Sequence, residues 1–344
     1  MFECNRRSES DMNLARYRDP FGNNPNRGKV DRSMTRVAVA TAFGGPEVLH
    51  IVDEAVAAPA AGQVLVEVKA IGVNPFDYKA YSGAFGKDPS TLPLHLGSEA
   101  SGVVIAVGDN SSGPAGPISV GDEVIVSGAQ GTYAEKLLVP AEAVLPKPKS
   151  LDWEAAAGLL SVAGTAYDTL VVTGVSEGDT VLVHGAAGGV GSMVVQQARA
   201  RGARVIGTAR AVNHDALRSY GAEPVEYGDG LLDRINEIAP SGIDVAIDTV
   251  GTDEAVDVSL ALVADKKRIV TIAAMGRAAE HGFLSVGDAE STKRRKAARL
   301  ELVNSAGAGD YTVPIAKTFP LDQVAKAHQE LKSEHPRGKF ILIP

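Results

Sequence analysis

The sequence predicts an α/β protein in two parts, an all-β unit followed by a parallel, doubly wound α/β unit. Three observations predict it. Short strands separated by Gly and Pro fill residues 35–150. Strands alternating with helices of ten or more residues fill most of the remaining chain. One of those strands runs straight into a glycine-rich turn that opens a helix. At 344 residues the chain has room for about two domains and for a core that needs no staples.

The first 33 residues stand apart. They lack apolar periodicity and carry seven Lys/Arg against five Asp/Glu. Such a composition buries too little apolar surface to offset its ordering entropy. Residues 1–33 are therefore expected to be a disordered extension, either a tail or the product of an upstream start with Met34 as the working one. From Thr35 the pattern becomes strand-like. VLVEVKAIGVNP alternates Val64, Val66 and Val68 with Gln63, Glu67 and Lys69, the period of a half-buried strand. ASGVVIAVGD, VGDEVIVSG and YAEKLLVP continue the series, the texture of a small barrel.

Near Leu151 the texture changes. LDWEAAAGLLSVAGTAYDTLVV reads as a helix capped by Asp152. TVLVHG is an apolar strand, and AAGGVGSMVVQQARARG an amphipathic helix. RVIGTA, PVEYG, DVAIDTVG and RIVTIAA are strands, interleaved with the helices DALRSYG, LLDRINEIAP and DEAVDVSLALVADK. Uninterrupted apolar strands suit a sheet covered on both faces. Residues 276–292 are Gly-rich and weakly patterned. The helix after them, TKRRKAARLELVNSAG, carries a KRRK run that reads as a solvated face. The tail reads strand, helix, strand through YTVPIAKTFP, LDQVAKAHQELK and GKFILIP. Leu321, Val324, Ala325, His328 and Leu331 share one helix face, which makes His328 a packing or surface residue.

Composition excludes several function classes. Lys and Arg number 34 against 42 Asp and Glu, a net charge of −8, so there is no basic excess to hold a nucleic acid. The single cysteine, Cys4, permits neither an intrachain disulfide nor a zinc site with two thiolates. No apolar run of about 18 residues occurs, and MFECNRRSESDMN lacks the apolar centre of a signal peptide. No membrane partner and a cytoplasmic location are expected.

The chemistry concentrates in TVLVHGAAGGVG. Gly185, Gly188, Gly189 and Gly191 let the backbone turn tightly and approach a pyrophosphate, and the following helix offers free amides and a positive dipole end. The next strand ends in RVIGTAR. No acid stands at Gly207, Thr208, Ala209 or Arg210 to take a ribose hydroxyl, whereas Arg210 suits a 2′-phosphate, which favours NADPH over NADH. Asn213 and His214 add donors at the next helix start.

GVNPFDYKAYSG, LGSEASGVVIAVG, VGDEVIV, GTYAEKLLVP, AGTAYDTL, GDTVLVHGAAGGVG, GARVIGTAR and RGKFILIP follow one another in order across residues 35–344. In this the chain resembles the medium-chain dehydrogenase/reductase superfamily, and within it the zinc-independent quinone oxidoreductases. The resemblance implies a GroES-like β-barrel catalytic domain (34–155), a Rossmann NADPH-binding domain (156–308) and a C-terminal return to the catalytic part (309–344). It implies hydride transfer from NADPH to a quinone or α,β-unsaturated carbonyl, and a homodimer built by edge pairing of Rossmann sheets. An enoyl-thioester reductase and a non-catalytic NADPH sensor are the alternatives.

Zinc-dependent relatives carry a Cys, a Gly-His-Glu and a four-cysteine lobe. Here the first two positions read Asn74 and Gly97-Ser98-Glu99, and the lobe is missing. His95, two residues before Gly97, is off the motif and reads as structural or as a cleft wall. The catalytic candidates are Asn74, Asp77 and Tyr81. Two roles are open to each: Asn74 on the substrate carbonyl or a cofactor ribose, Asp77 in the chemistry or in ordering its loop, Tyr81 as proton donor or packed ring. Phe85 stands near where many relatives place a tyrosine. The resemblance also assigns cofactor contacts. Thr165 faces the nicotinamide amide or phosphates, and Ala187 and Val190 belong to the glycine loop. Thr208 ends the second strand beside Arg210, and Val250 and Gly251 border a ribose. Ala273 lies near the nicotinamide, and Lys339 approaches from the catalytic domain. Asp248 reads as a cap.

Overall fold

A computed structural model describes residues 33–334 and 336–344. The expected extension 1–33 lies outside the described residues, except for Ser33, which opens the first strand. The β-rich part begins with β1 (Ser33–Ala40), β2 (Leu49–Val56) and β3 (Gln63–Val73), followed by a short helix α1 (Pro75–Ser82). Next come β4 (Leu94–His95), β5 (Glu99–Val107), the small hairpin β6 (Ser112–Gly113) and β7 (Gly116–Pro117), β8 (Glu123–Ser127), β9 (Lys136–Pro140) and β10 (Val144–Pro146). Asp77, expected from sequence to lie in a loop, thus sits on a helix. Pro75 sits at the first helical position, Asn74 caps it and Gly83 ends it at φ 80°.

Along β3, Val64, Val66 and Val68 are buried and Glu67 is exposed, as the alternation predicts. β3 pairs antiparallel with β5, β9 and the C-terminal strand β18 (Lys339–Ile343). β17 (Ile315–Pro320) lies parallel to β18, so the chain's end returns to the barrel sheet and brings Lys339 to the end of β3. Between β17 and β18 runs α9 (Val324–Ser333).

α2 (Trp153–Val172) joins the two parts. Asp152 caps it, its carboxylate accepting the Ala155 amide at 2.6 Å. This helix is long and apolar enough to cross a membrane, but it is a core helix, packed on β3 and β5 and against two helices of the α/β part, Gly189–Ala200 and Ala289–Ala308. The parallel sheet comprises β11 (Thr180–His184), β12 (Arg204–Thr208), β13 (Glu223–Val225), β14 (Val245–Asp248), β15 (Ile269–Thr271) and β16 (Leu284–Ser285). Its connections are α3 (Gly189–Ala200), α4 (His214–Ser219), α5 (Leu231–Ile238), α6 (Asp253–Leu262) and α7 (Met275–His281), and α8 (Ala289–Ala308) follows β16. Residues 276–292, patternless in sequence, hold most of α7 and the edge strand β16, elements too short to show a period.

The strand order is β13-β12-β11-β14-β15-β16. It reverses direction between β11 and β14, and ligands of such sheets bind outside the strands' carboxyl ends at that point. Val181 and Val183 face α2, α3 and α8, while Leu182 packs towards α5 and α6, so both faces are covered. The KRRK run is not wholly a solvated face. Arg294 donates to the buried carboxylate of Asp168 on α2 at 2.5 Å, and Arg295 lies 3.4 Å from the same group.

Candidate active site

The glycine loop occupies the switch point between β11 and β14. Gly185 has φ 72°, and a Cβ there would lie 2.5 Å from the Val250 side chain. A Cβ on Gly191 would stand 2.2 Å from the Gly185 carbonyl oxygen, so the turn and the helix pack backbone to backbone. Gly188, the N-cap of α3, has only the Gly185 oxygen near its Cβ direction, at 3.4 Å, leaving space before the helix end. Gly189, Val190 and Gly191 start α3, where amides have no carbonyl of the preceding turn to bond. The loop, Ala187 included, therefore has the free amides and the positive dipole end that suit an anion.

Around it the expected cofactor residues divide. Val250 and Ala273 are exposed at the ends of β14 and β15, and Gly251 between them has φ 79°. Asp248 is the expected cap, its Oδ1 accepting the amides of Val250 and Gly251 at 2.9 and 2.8 Å. Arg210 is exposed just beyond β12, and Asn213 caps α4 without a side-chain bond. Two hydroxyls are bonded to the backbone. Thr208 is buried and accepts the Gly185 amide at 3.1 Å, and Thr165 donates to the Ser161 carbonyl one turn back at 2.7 Å. Thr208 supports the loop and Thr165 its own helix.

Lys339 connects the glycine loop to the β-rich part. Its Cδ passes 3.5 Å from the Cβ direction of Gly189, and its ammonium ends in a buried corner. There it donates to the Val73 carbonyl (3.0 Å), Asn74 Oδ1 (2.5 Å) and Glu99 Oε1 (2.9 Å). Asn74 Nδ2 donates to the same Glu99 oxygen at 3.0 Å, and Glu99 Oε2 accepts the Ser161 amide at 2.8 Å. The three ammonium hydrogens are all used, and the amide orientation of Asn74 is fixed by a donor on one side and an acceptor on the other. In the sequence Glu99 stands out only as a position in a metal motif, and its place in this corner carries no local signal.

Tyr81 does not open onto a cleft: it is 1% exposed. It belongs to a buried chain whose other members lie far away in sequence. Tyr133 donates to Asp77 Oδ2 at 2.8 Å, and Asp77 Oδ2 also accepts the Asn74 amide at 2.8 Å. Tyr133 Oη and His328 Nε2 are 3.0 Å apart, as are His328 Nδ1 and Tyr81 Oη. Burial pushes the His328 imidazole down to about 4, so the ring is neutral at neutral pH. With the Tyr133 proton given to Asp77, Nε2–H donates to Tyr133 and Nδ1 accepts from Tyr81, which assigns the tautomer. Burial pushes Asp77 up to about 6 against the pull of the Asn74 amide and the Tyr133 hydroxyl. The Tyr81 hydroxyl is thus committed to His328, a correction to its reading as a cleft proton donor.

A cleft of ≈ 660 Å³ opens in the β-rich part, with Phe43, Phe85, His95 and Gln130 among its walls. Phe85 stacks on Phe76 with centroids 5.0 Å apart, and both rings are exposed, an apolar lip suited to a flat conjugated ligand. Among the described residues no three of His, Cys, Asp and Glu gather as a metal site would need.

Residues 60–149 match the family model described as alcohol dehydrogenase GroES-like domain, and residues 189–297 the one described as zinc-binding dehydrogenase. The chain is 32% identical over 325 residues to the quinone oxidoreductase of Homo sapiens, an alignment covering 88% of this chain and 95% of that protein. Among solved structures it is similar to an NAD-dependent alcohol dehydrogenase, with TM-score 0.79 and 27% identity over 90% of this chain and 99% of the other. It is also similar to the Escherichia coli quinone oxidoreductase complexed with NADPH, with TM-score 0.78 and 29% identity over 90% of this chain and 100% of that one.

Proposed function

The chain belongs to the medium-chain dehydrogenase/reductase superfamily, with quinone oxidoreductases among its relatives, and from that premise we propose an NADPH-dependent reductase of quinones or α,β-unsaturated carbonyls that works without zinc. The observation that carries this reading is the reach of Lys339, whose stem crosses the first residue of α3 and whose ammonium ends on Asn74 and Glu99. The glycine loop and the Asn74–Glu99 corner are thereby linked by one side chain.

The residues present fit NADPH. The Gly188 side of the loop is open, the amides of Gly189, Val190 and Gly191 suit a pyrophosphate, and Arg210 and Asn213 stand where a 2′-phosphate would be read. Val250, Gly251 and Ala273 form a rim for the nicotinamide riboside at the strand ends. Bound there, the dihydronicotinamide supplies the hydride. Asn74, held by Lys339 and Glu99, keeps its second Nδ2–H for an oxygen of the cofactor or of the acceptor. The same corner does not fit zinc. It presents an amide and a carboxylate already bonded to an ammonium, with no imidazole or thiolate among its contacts within the described residues. A conjugated acceptor needs less polarisation than an alcohol, and orientation against the hydride donor supplies much of the barrier reduction. A homodimer paired through the β16 edge belongs to the same proposal.

The test is NADPH consumption against a panel of quinones, enones and enoyl thioesters, with and without chelator. The expected result is turnover with quinones or enones, unchanged by chelator. Turnover confined to enoyl thioesters would move the chain to that reductase class, and NADPH binding without consumption would make it a sensor.

A further inference from the structure

Reduction of a conjugated carbonyl consumes a proton as well as a hydride, and neither Tyr81 nor Lys339 has one to give in the cleft. We infer that His95, backed by Glu54, is the acid that protonates the acceptor's carbonyl oxygen in the cleft walled by Phe43, Phe85 and Gln130. The assignment rests on the reductase reading above.

His95 ends the two-residue strand β4, whose pairing with Val39 and Ala40 of β1 fixes its backbone. Its Nε2 lies 2.9 and 3.1 Å from the two carboxylate oxygens of Glu54 on β2. The opposite ring nitrogen, Nδ1, has no partner among the described residues. The other titratable groups on the cleft wall are Lys87 and Asp88. Asp88 accepts the amide and hydroxyl of Ser90, and these bonds hold its carboxyl below the usual range, so it carries no proton to give. An imidazole is the side chain suited to donating and regaining a proton near neutral pH.

The geometry sets the order of events. In the neutral ring Nε2–H donates to Glu54, and Nδ1 holds the lone pair. A solvent proton adds at Nδ1, and the Glu54 carboxylate faces the resulting imidazolium. Both side chains are 39% exposed, so water reaches them. In the reaction the dihydronicotinamide's C–H bond would break, leaving the oxidised nicotinamide; its hydride pair forms a C–H bond on the conjugated acceptor, and the π pair displaced onto the acceptor's oxygen takes the Nδ1 proton to give the enol. One N–H bond breaks and one O–H bond forms. The ring is left neutral with Nε2–H on Glu54, ready to take the next solvent proton.

Two readouts test this. In cofactor-free protein labelled with ¹⁵N-histidine, the resonances lost in His95→Gln should show a protonated Nε2 and a bare Nδ1 in the neutral ring. On acidification Nδ1 should gain its proton while Nε2 keeps its own. A neutral ring protonated at Nδ1 would overturn the assignment. In turnover, His95→Gln should lower kcat by about 10²-fold with NADPH affinity unchanged, the usual scale of general acid catalysis. Added imidazole should restore part of the rate of His95→Ala. An active wild type with His95→Gln within about threefold of it would overturn the assignment alone. A wild type inert toward every acceptor would overturn the reductase reading and this assignment together.

Discussion

Asp77 accepts two hydrogen bonds on one oxygen in a site that is almost dry. Its carboxyl is pushed up to about 6 from 3.8, so the native state holds the proton more tightly than the unfolded chain. Below about pH 4 the group is neutral in both states. As pH rises through 6 the native state must ionise it late, and the stability gained from the neutral form is lost, about 3 kcal/mol for a shift of this size. Asp77→Asn keeps an acceptor for the Asn74 amide and the Tyr133 hydroxyl but has nothing to ionise. The variant should therefore be more stable than wild type at roughly pH 8 and nearly equal to it at roughly pH 4. Denaturation midpoints across that range check this, and a variant weaker than wild type mainly at the alkaline end would contradict it. The network around Asp77 was not legible in the sequence. Tyr133 lies 56 residues from Asp77, and His328 lies 195 from Tyr133 and 247 from Tyr81. A helical period places His328 on a buried face without saying which polar groups wait there. The Glu54–His95 pair, 41 residues apart on different strands, was hidden for the same reason.

The loop between β11 and α3 was the most legible element, because the chemistry of a backbone that must bend, open and pack closely leaves only glycine at fixed spacings. The structure separates those needs. At Gly191 an added Cβ meets backbone atoms of Gly185 at 2.2 Å and Ala186 at 2.8 Å, so Gly191→Ala must shift the loop itself. It should cost roughly 1–3 kcal/mol, the usual range for overpacking, and abolish cofactor binding. At Gly188 the backbone has φ −72° and the Cβ direction is open, so Gly188→Ala should melt like wild type yet bind NADPH poorly, its methyl filling the phosphate's place. Thermal melts paired with NADPH titrations check both. Equal melting for the two variants would contradict the close packing at Gly191. The long, strongly patterned strands and helices were equally readable. The helices α1 and α7 and the strand β16 were not, since seven or eight residues, or two, carry too little periodicity to separate from loop. The run KRRK misled because charge alone does not reveal that a buried Asp168 lies across from it on α2.

At the scale of the whole molecule, the C-terminal strand passes back through the β-rich sheet and lays Lys339 between the glycine loop and Asn74, so neither part completes the site alone. On the proposed reading, the end of the second strand of the parallel sheet sets which dinucleotide is used. Arg210 stands there with no acid at the three positions before it. Charge-assisted bonds to a 2′-phosphate contribute roughly 1.5–3 kcal/mol, and each 1.4 kcal/mol is about tenfold in affinity. The most direct measurement is calorimetric titration of NADPH and NADH into wild type and Arg210→Ala. Wild type should prefer NADPH, and Arg210→Ala should weaken NADPH by about ten- to a hundredfold while leaving NADH nearly unchanged. A wild type that prefers NADH, or equal losses for the two dinucleotides, would contradict the account.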